Sequence, residues 1–170
     1  AEDLAPALEK LQSELLKKSE ELWPIIKTGR TPLQDATPVR LGQEFLGFAG
    51  QAGYGVERLG RMEDALAEVA LGGTAVGTGV NTHPEFSART CRLLSEMTGV
   101  HVRETGNHFQ AQAALDAVVE ASGILKTIAI SLHKMANDIR FLACGPRAGL
   151  GEILVPEVQP GSSIMPGKVN

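Results

Sequence analysis

Basic residues are in short supply in this chain: sixteen Lys and Arg stand against twenty Asp and Glu, for a formal net charge of −4. Phosphate binding leans on a clustered basic excess, so this balance argues against a nucleic-acid partner. Cysteine is nearly absent; Cys91 and Cys144 are too few for a disulfide scaffold and fit a reducing compartment. No window approaches the roughly 18 consecutive apolar residues of a membrane span, and no signal peptide opens the chain. Internal repeats and low-complexity stretches are missing too. What is present is a hydrophobic fraction of 43% over 170 residues, too high for disorder and sufficient for one core. These features predict a soluble intracellular protein.

Helical periodicity dominates the chain. From about Asp3 to Lys27, Leu4, Leu8, Leu11, Leu15, Leu22 and Ile26 recur at steps of three, four or seven, with Lys and Glu on the other face. Pro24 should kink that helix or mark its last turn. A loop is expected over Thr28 to Pro38. A second helix, from about Val39 to Leu71, keeps the same period but carries Gly42, Gly47, Gly50, Gly53, Gly55 and Gly60. Each interior glycine costs about 0.8–1 kcal/mol of helix propensity, which predicts close packing against neighbours.

The glycine-rich stretch Gly72 to Gly79 follows, and Thr82 and Glu85 have capping-box spacing for a third helix starting near His83 and ending at Gly99. The fourth helix is expected over about Phe109 to Leu142, apolar around most of its circumference between Ala111 and Ser131. One chain has too few helices to cover it, so missing sequence or symmetric neighbours must do so. After Cys144 the glycines and prolines predict loop, with Glu152 to Val155 as one possible short strand of a hairpin. The fold class is therefore all-α, a long-helix bundle over residues 1–170, with a short hairpin or loop and a mobile segment over 145–170. Because Ala1 stands in place of Met inside a helical pattern and Asn170 ends an open loop, the chain reads as part of a longer protein.

Few motifs carry chemistry. The stretch Gly72 to Gly79 lacks the dinucleotide fingerprint and follows a helix, so it reads as a tight interhelical loop. Gly161 to Lys168 misses phosphate-loop spacing by one residue, and Val169 replaces the magnesium-binding hydroxyl. His83, His101, His108 and His133 show no metal-ligand pairing, and Cys91 lies on an apolar helical stripe as a packing residue. The segment Gly161-Ser162-Ser163-Ile164-Met165-Pro166-Gly167-Lys168-Val169-Asn170 brings two hydroxyls, a cation and an amide together between glycines. That set suits anion binding and proton transfer, though its chemistry alone equally allows a surface turn.

This decapeptide resembles the signature loop of the fumarase/aspartase superfamily, and its Met-Pro-Gly-Lys form is similar to that of the class II fumarate hydratases. The likeness extends through Gly29-Arg30-Thr31, Leu33 to Pro38, Leu41 to Glu44, Gly72 to Pro84, Ala136 to Arg140 and Gly145 to Glu152. It implies a long-helix bundle assembled as a homotetramer with active sites shared between subunits. The implied reaction is reversible hydration of fumarate to (S)-malate through an aci-carboxylate carbanion, without metal or organic cofactor, in the cytoplasm or mitochondrial matrix. It also implies Ser162 as the proton-abstracting base, with Lys168, Asn170 and Thr31 holding the dicarboxylate. Gly161, Ser163 and Gly167 then belong to a lid that closes over substrate.

Three departures qualify the likeness. Pro32 stands where the family has histidine, and proline has no donor, acceptor or titratable group to activate water. Upstream substrate-binding residues of the family, and the glutamate expected just beyond Asn170, are not in the chain. As given, it lacks a complete active site. Two rivals remain at this point: an aspartate ammonia-lyase, and a catalytically silent oligomerising bundle. Asn81 to Pro84 and Met165 to Gly167 favour the hydratase over the lyase.

Overall fold

The computed structural model describes residues 2–165 and Lys168. It is a long-helix bundle with two small sheets, and it separates into two compact units, one ending at Ala129 and the other beginning at Ile130. No helix among the described residues is long and apolar enough to cross a membrane.

In the first unit, helix α1 (Leu4–Leu22) ends at Trp23, which is still helical in backbone, because Pro24 has no N–H with which to continue the ladder. Its buried stripe, Leu8, Leu15 and Ser19, faces helix α2 (Leu41–Leu66). Contact between the two is close enough that a Cβ on Gly42 would collide with the Ser19 carbonyl and the Trp23 backbone. Ser19 Oγ, buried in that seam, donates to the Gly42 carbonyl at 2.7 Å. Further along, Gly55 admits Leu8 and Ile128, and Gly53 admits Gln12. Gly47, Gly50 and Gly60 face open space instead, so close packing within this chain explains three of the six helix glycines. Leu41, Phe45, Phe48, Ala49, Ala52, Leu59 and Met62 complete the buried face of α2, with Phe45 and Phe48 edge to face at 5.6 Å.

Between α1 and α2 the expected loop is a β-ribbon. Strand β1 (Ile26–Thr31) pairs antiparallel with β2 (Gln34–Arg40), joined by Pro32 and Leu33. Neither strand has an apolar alternation to betray it, and Pro38 is tolerated because both strands of a two-stranded ribbon are edges. Helix α2 ends five residues before Leu71. The chain after it pairs as β3 (Glu68–Val69) with the parallel β4 (Arg103–Glu104), captured by Arg103 N–H to Ala67 C=O at 2.8 Å and Thr105 N–H to Val69 C=O at 3.0 Å.

The glycine stretch is a tight loop, with Gly72, Gly77 and Gly79 at positive φ. Ser87 Oγ donates to the Leu71 carbonyl at 2.6 Å, and Gln112 Nε2 to the Thr74 carbonyl at 2.7 Å. Helix α3 (Phe86–Thr98) begins later than the capping-box spacing predicts: Glu85 is its N-cap, and no side chain caps it. His83 Nδ1 accepts the Glu85 N–H at 3.2 Å, which holds that stretch as a turn. The helix ends at Gly99 in the left-handed region, as expected, with Cys91 buried.

The expected fourth helix is two. Asn107 caps α4 (His108–Ala113) by accepting the N–H groups of Phe109 and Gln110. Ala114 then turns extended, and the Leu115 carbonyl receives Val118 and Val119 N–H to start α5 (Asp116–Leu142). Apolar side chains continue across this break, which hides it from periodicity. Along α5 the buried residues, Ala121, Ile128, Met135 and Leu142, recur every seventh position. In the second unit the chain after α5 forms no strand over Glu152–Val155; it is loop, the other form the sequence allowed.

Candidate active site

Thr31 is the last residue of β1 and pairs with Gln34 across a two-residue turn. Proline at the first turn position fixes φ near −65°, and Leu33 at the second lies at φ +64°. A type II turn has this pair of signs. An exposed, branched leucine at positive φ is uncommon, and no side chain of the turn offers a titratable group. The turn thus keeps Thr31 extended, the geometry favoured before proline. Below it the register shifts between Thr28 and Arg30, where Gly29 lets the Thr37 carbonyl approach to 2.6 Å of where a Cβ would stand. Such a bulge increases twist and re-aims the side chains beyond it.

In the second unit, the chain leaves α5 through Cys144, whose carbonyl and thiol accept the Gly151 N–H at 2.8 Å and the Leu150 N–H at 3.3 Å. Glu152 N–H returns to the Leu142 carbonyl at 2.9 Å, fixing the start of the segment that leads to Gly161. There Ser162 is half-buried, and its Oγ accepts the N–H of Ile164 at 3.2 Å and of Met165 at 3.3 Å. A hydroxyl bonded to backbone two and three residues on is a local Ser turn. The Lys168 N–H donates to the Met165 carbonyl at 3.2 Å, and the Lys168 carbonyl lies so near Gly161 that no Cβ fits between them. Ser163 is exposed. Gly167 and Asn170 lie outside the described residues.

Chemically, two N–H groups directed at one hydroxyl oxygen favour its deprotonated form, as an oxyanion hole does. The sequence pointed to Ser162 but not to its two donors; the spacing Ser-x-Ile-Met contains that signal only for a reader who asks where the hydroxyl's lone pairs go. The Lys168 side chain is exposed and supplies a cation to the same loop. No group of three or more His, Cys, Asp and Glu among the described residues is arranged to hold a metal ion.

A protein-family model described as lyase matches residues 1–170. The chain belongs to this lyase family. It is 56% identical over 170 residues to a class II fumarate hydratase of Neisseria meningitidis, covering 98% of the chain and 36% of that relative. It is 54% identical to the mitochondrial fumarate hydratase of Rhizopus oryzae, covering 98% of the chain and 34% of the relative. The chain thus spans about a third of the length of these relatives. Among solved structures, it superposes on a Brucella melitensis protein described as fumarate lyase:delta crystallin bound to cobalt with a TM-score of 0.89 and 47% identity, covering 97% of the chain and 36% of that one. A class II fumarase from Schistosoma mansoni gives a TM-score of 0.88 at 36% identity, covering 98% and 38%. The helical bundle read from the sequence is the fold these lyases share over the matched region.

Proposed function

We propose that the chain is the central helical portion of a class II fumarate hydratase, which hydrates fumarate reversibly to (S)-malate. The observation that carries the reading is Ser162 Oγ under two backbone N–H groups, in a loop that also carries Lys168. In the dehydration direction a base removes a proton alpha to a carboxylate, and the charge passes into an aci-carboxylate. Ser162 is that base. The Ile164 and Met165 N–H groups offset the cost of its alkoxide, and loop closure excludes the water that would otherwise protonate it. Lys168, Asn170 and, from a different subunit, the Thr31 hydroxyl hold the dicarboxylate, and Gly161, Ser163 and Gly167 belong to the closing segment. No cofactor enters the scheme. Residues 1–170 belong to the central bundle, and 145–170 to its signature loop.

Pro32 supplies nothing that could activate water, so this polypeptide binds the dicarboxylate with part of the machinery and turns over slowly at best. Assembly as a homotetramer with shared sites fits the surface. Only one residue in seven of α5 is buried, while Val118, Val119, Leu125, Ile130 and Phe141 are exposed. Gly47, Gly50, Gly60 and Gly123 also face open space at which another helix could approach closely. A cytoplasmic or mitochondrial-matrix location fits the relatives' names.

The test is an assay of the full-length protein by loss of fumarate absorbance, with and without ammonium, and by identification of the product. Malate formed without ammonium is expected. Fumarate loss that requires ammonium and yields aspartate would reassign the protein to the ammonia-lyases, and no turnover of either kind would leave the silent-bundle reading. Light scattering of the same material should give a tetramer; a soluble, folded monomer at micromolar concentration would remove the assembly from the scheme.

A further inference from the structure

One buried charged group has no part in the chemistry above. Lys27 lies on β1, four residues before Thr31, and its ammonium bonds both carboxylate oxygens of Glu44, at 3.0 and 2.9 Å. The lysine side chain is 8% exposed and the glutamate 28%. Glu44 stands in the first turn of α2. The pair therefore ties the strand that ends at Thr31 to the longest helix packed in the first unit.

A two-stranded ribbon by itself is marginal in water, so what anchors it decides where its tip sits. At the root, Leu41 N–H bonds the Ile25 carbonyl at 2.9 Å and the Arg40 guanidinium bonds the Trp23 carbonyl at 2.9 Å. Both of these bonds act at the ends of the ribbon. The pair from Lys27 grips β1 within its length, just below the bulge at Gly29 that sets the twist of everything beyond. Removing the ammonium takes the counter-charge from the part-buried Glu44 carboxylate and loosens the hold of α2 on β1, so the ribbon can lift from the helix.

We infer that Lys27 is a positioning residue, whose ion pair with Glu44 fixes the ribbon so that Thr31 meets the substrate carboxylate; the inference rests on the hydratase reading. The experiment uses the full-length protein with Lys27→Met, Lys27→Arg and Glu44→Gln, measuring KM and kcat for fumarate and amide hydrogen exchange over 26–40. Lys27→Met should raise KM about tenfold while kcat stays within about threefold, because Thr31 binds and does not react. Lys27→Arg should restore most of the affinity, and exchange should quicken in the ribbon but not along α2. Glu44→Gln, which keeps shape and an acceptor, should show a smaller KM rise and carries the test should Lys27→Met fail to fold. Unchanged KM and exchange in the variants that fold would overturn the inference. So would a loss in kcat equal to the loss of folded protein, with KM unmoved. If the parent protein itself fails to hydrate fumarate, the functional reading falls, and the exchange data still decide whether the pair anchors the ribbon.

Discussion

The ribbon that ends at Thr31 and the loop that starts at Gly161 both carry residues of the proposed site, yet they are held in place differently. Five residues of β2 set the ribbon against β1 through main-chain pairing, and Lys27 and Glu44 tie it down. Among the described residues of the loop, one hydroxyl, Ser162 Oγ, gathers the backbone that follows it, and the Lys168 carbonyl closes over Gly161. In the ribbon, shape and chemistry are separable, so Pro32 at the tip leaves a well-formed turn with no titratable group. In the loop the same atom supplies both. A substitution there removes a reactive group and the fold of the segment together.

The largest effect should therefore come from the loop. In the full-length protein, Ser162→Ala should lower turnover by about 10³-fold, within the usual range for a lost acid–base group. The bundle's melting temperature should not move, because among the described residues the hydroxyl's bonds stay within its own loop. Near-normal turnover would remove Ser162 from the mechanism and break the comparison at its centre.

The ribbon should answer with a gain. Under the hydratase reading, Pro32→His introduces a titratable side chain at the ribbon tip, and turnover should rise by about 10²-fold. The pairing of Thr31 with Gln34 does not depend on the proline, so melting curves should differ little. Equal turnover in the two versions, measured side by side, would mean that water is activated from elsewhere.

Much of the bundle was legible because burial follows period. Leu8 and Leu15 on α1, and Phe45, Ala52, Leu59 and Met62 on α2, are the residues an amphipathic stripe selects. Gly99 terminated α3 where a left-handed cap was expected. What escaped has a common cause: main-chain decisions that side-chain hydrophobicity does not encode. The ribbon from Ile26 to Arg40 is polar on both faces, the break at Ala114 interrupts an apolar run, and Thr82 lost its capping role to a turn closed by His83. Of the proposed site, Thr31, Ser162 and Lys168 were named through resemblance. The N–H donors of Ile164 and Met165 and the Lys27–Glu44 pair were not, since they exist only once the chain has folded.

A smaller effect should come from Gly161. Its Cα lies against the Lys168 carbonyl with no space for a Cβ, so Gly161→Ala must open the loop at its neck. The base itself is untouched, and kcat/KM should fall about tenfold, mostly through poorer closure. An unchanged kcat/KM would show that the neck is free to open without cost.

The smallest effect sharpens the comparison inside the loop itself. Ser163 neighbours Ser162 and carries the same hydroxyl, but it is exposed, and the backbone N–H groups of Ile164 and Met165 turn to Ser162. A serine becomes a base only where its alkoxide is stabilised, and an exposed hydroxyl in water has no fixed donors to do so. Ser163→Ala should therefore change kcat and KM by no more than about twofold, while Ser162→Ala in the same assay loses most turnover. Exposed polar substitutions of this kind also leave stability within about 0.5 kcal/mol, so a thermal melt should coincide with the parent's. If Ser163→Ala were instead as damaging as Ser162→Ala, the loop would act through both hydroxyls. The two N–H donors would then be a folding device for the segment, with no part in preparing the base.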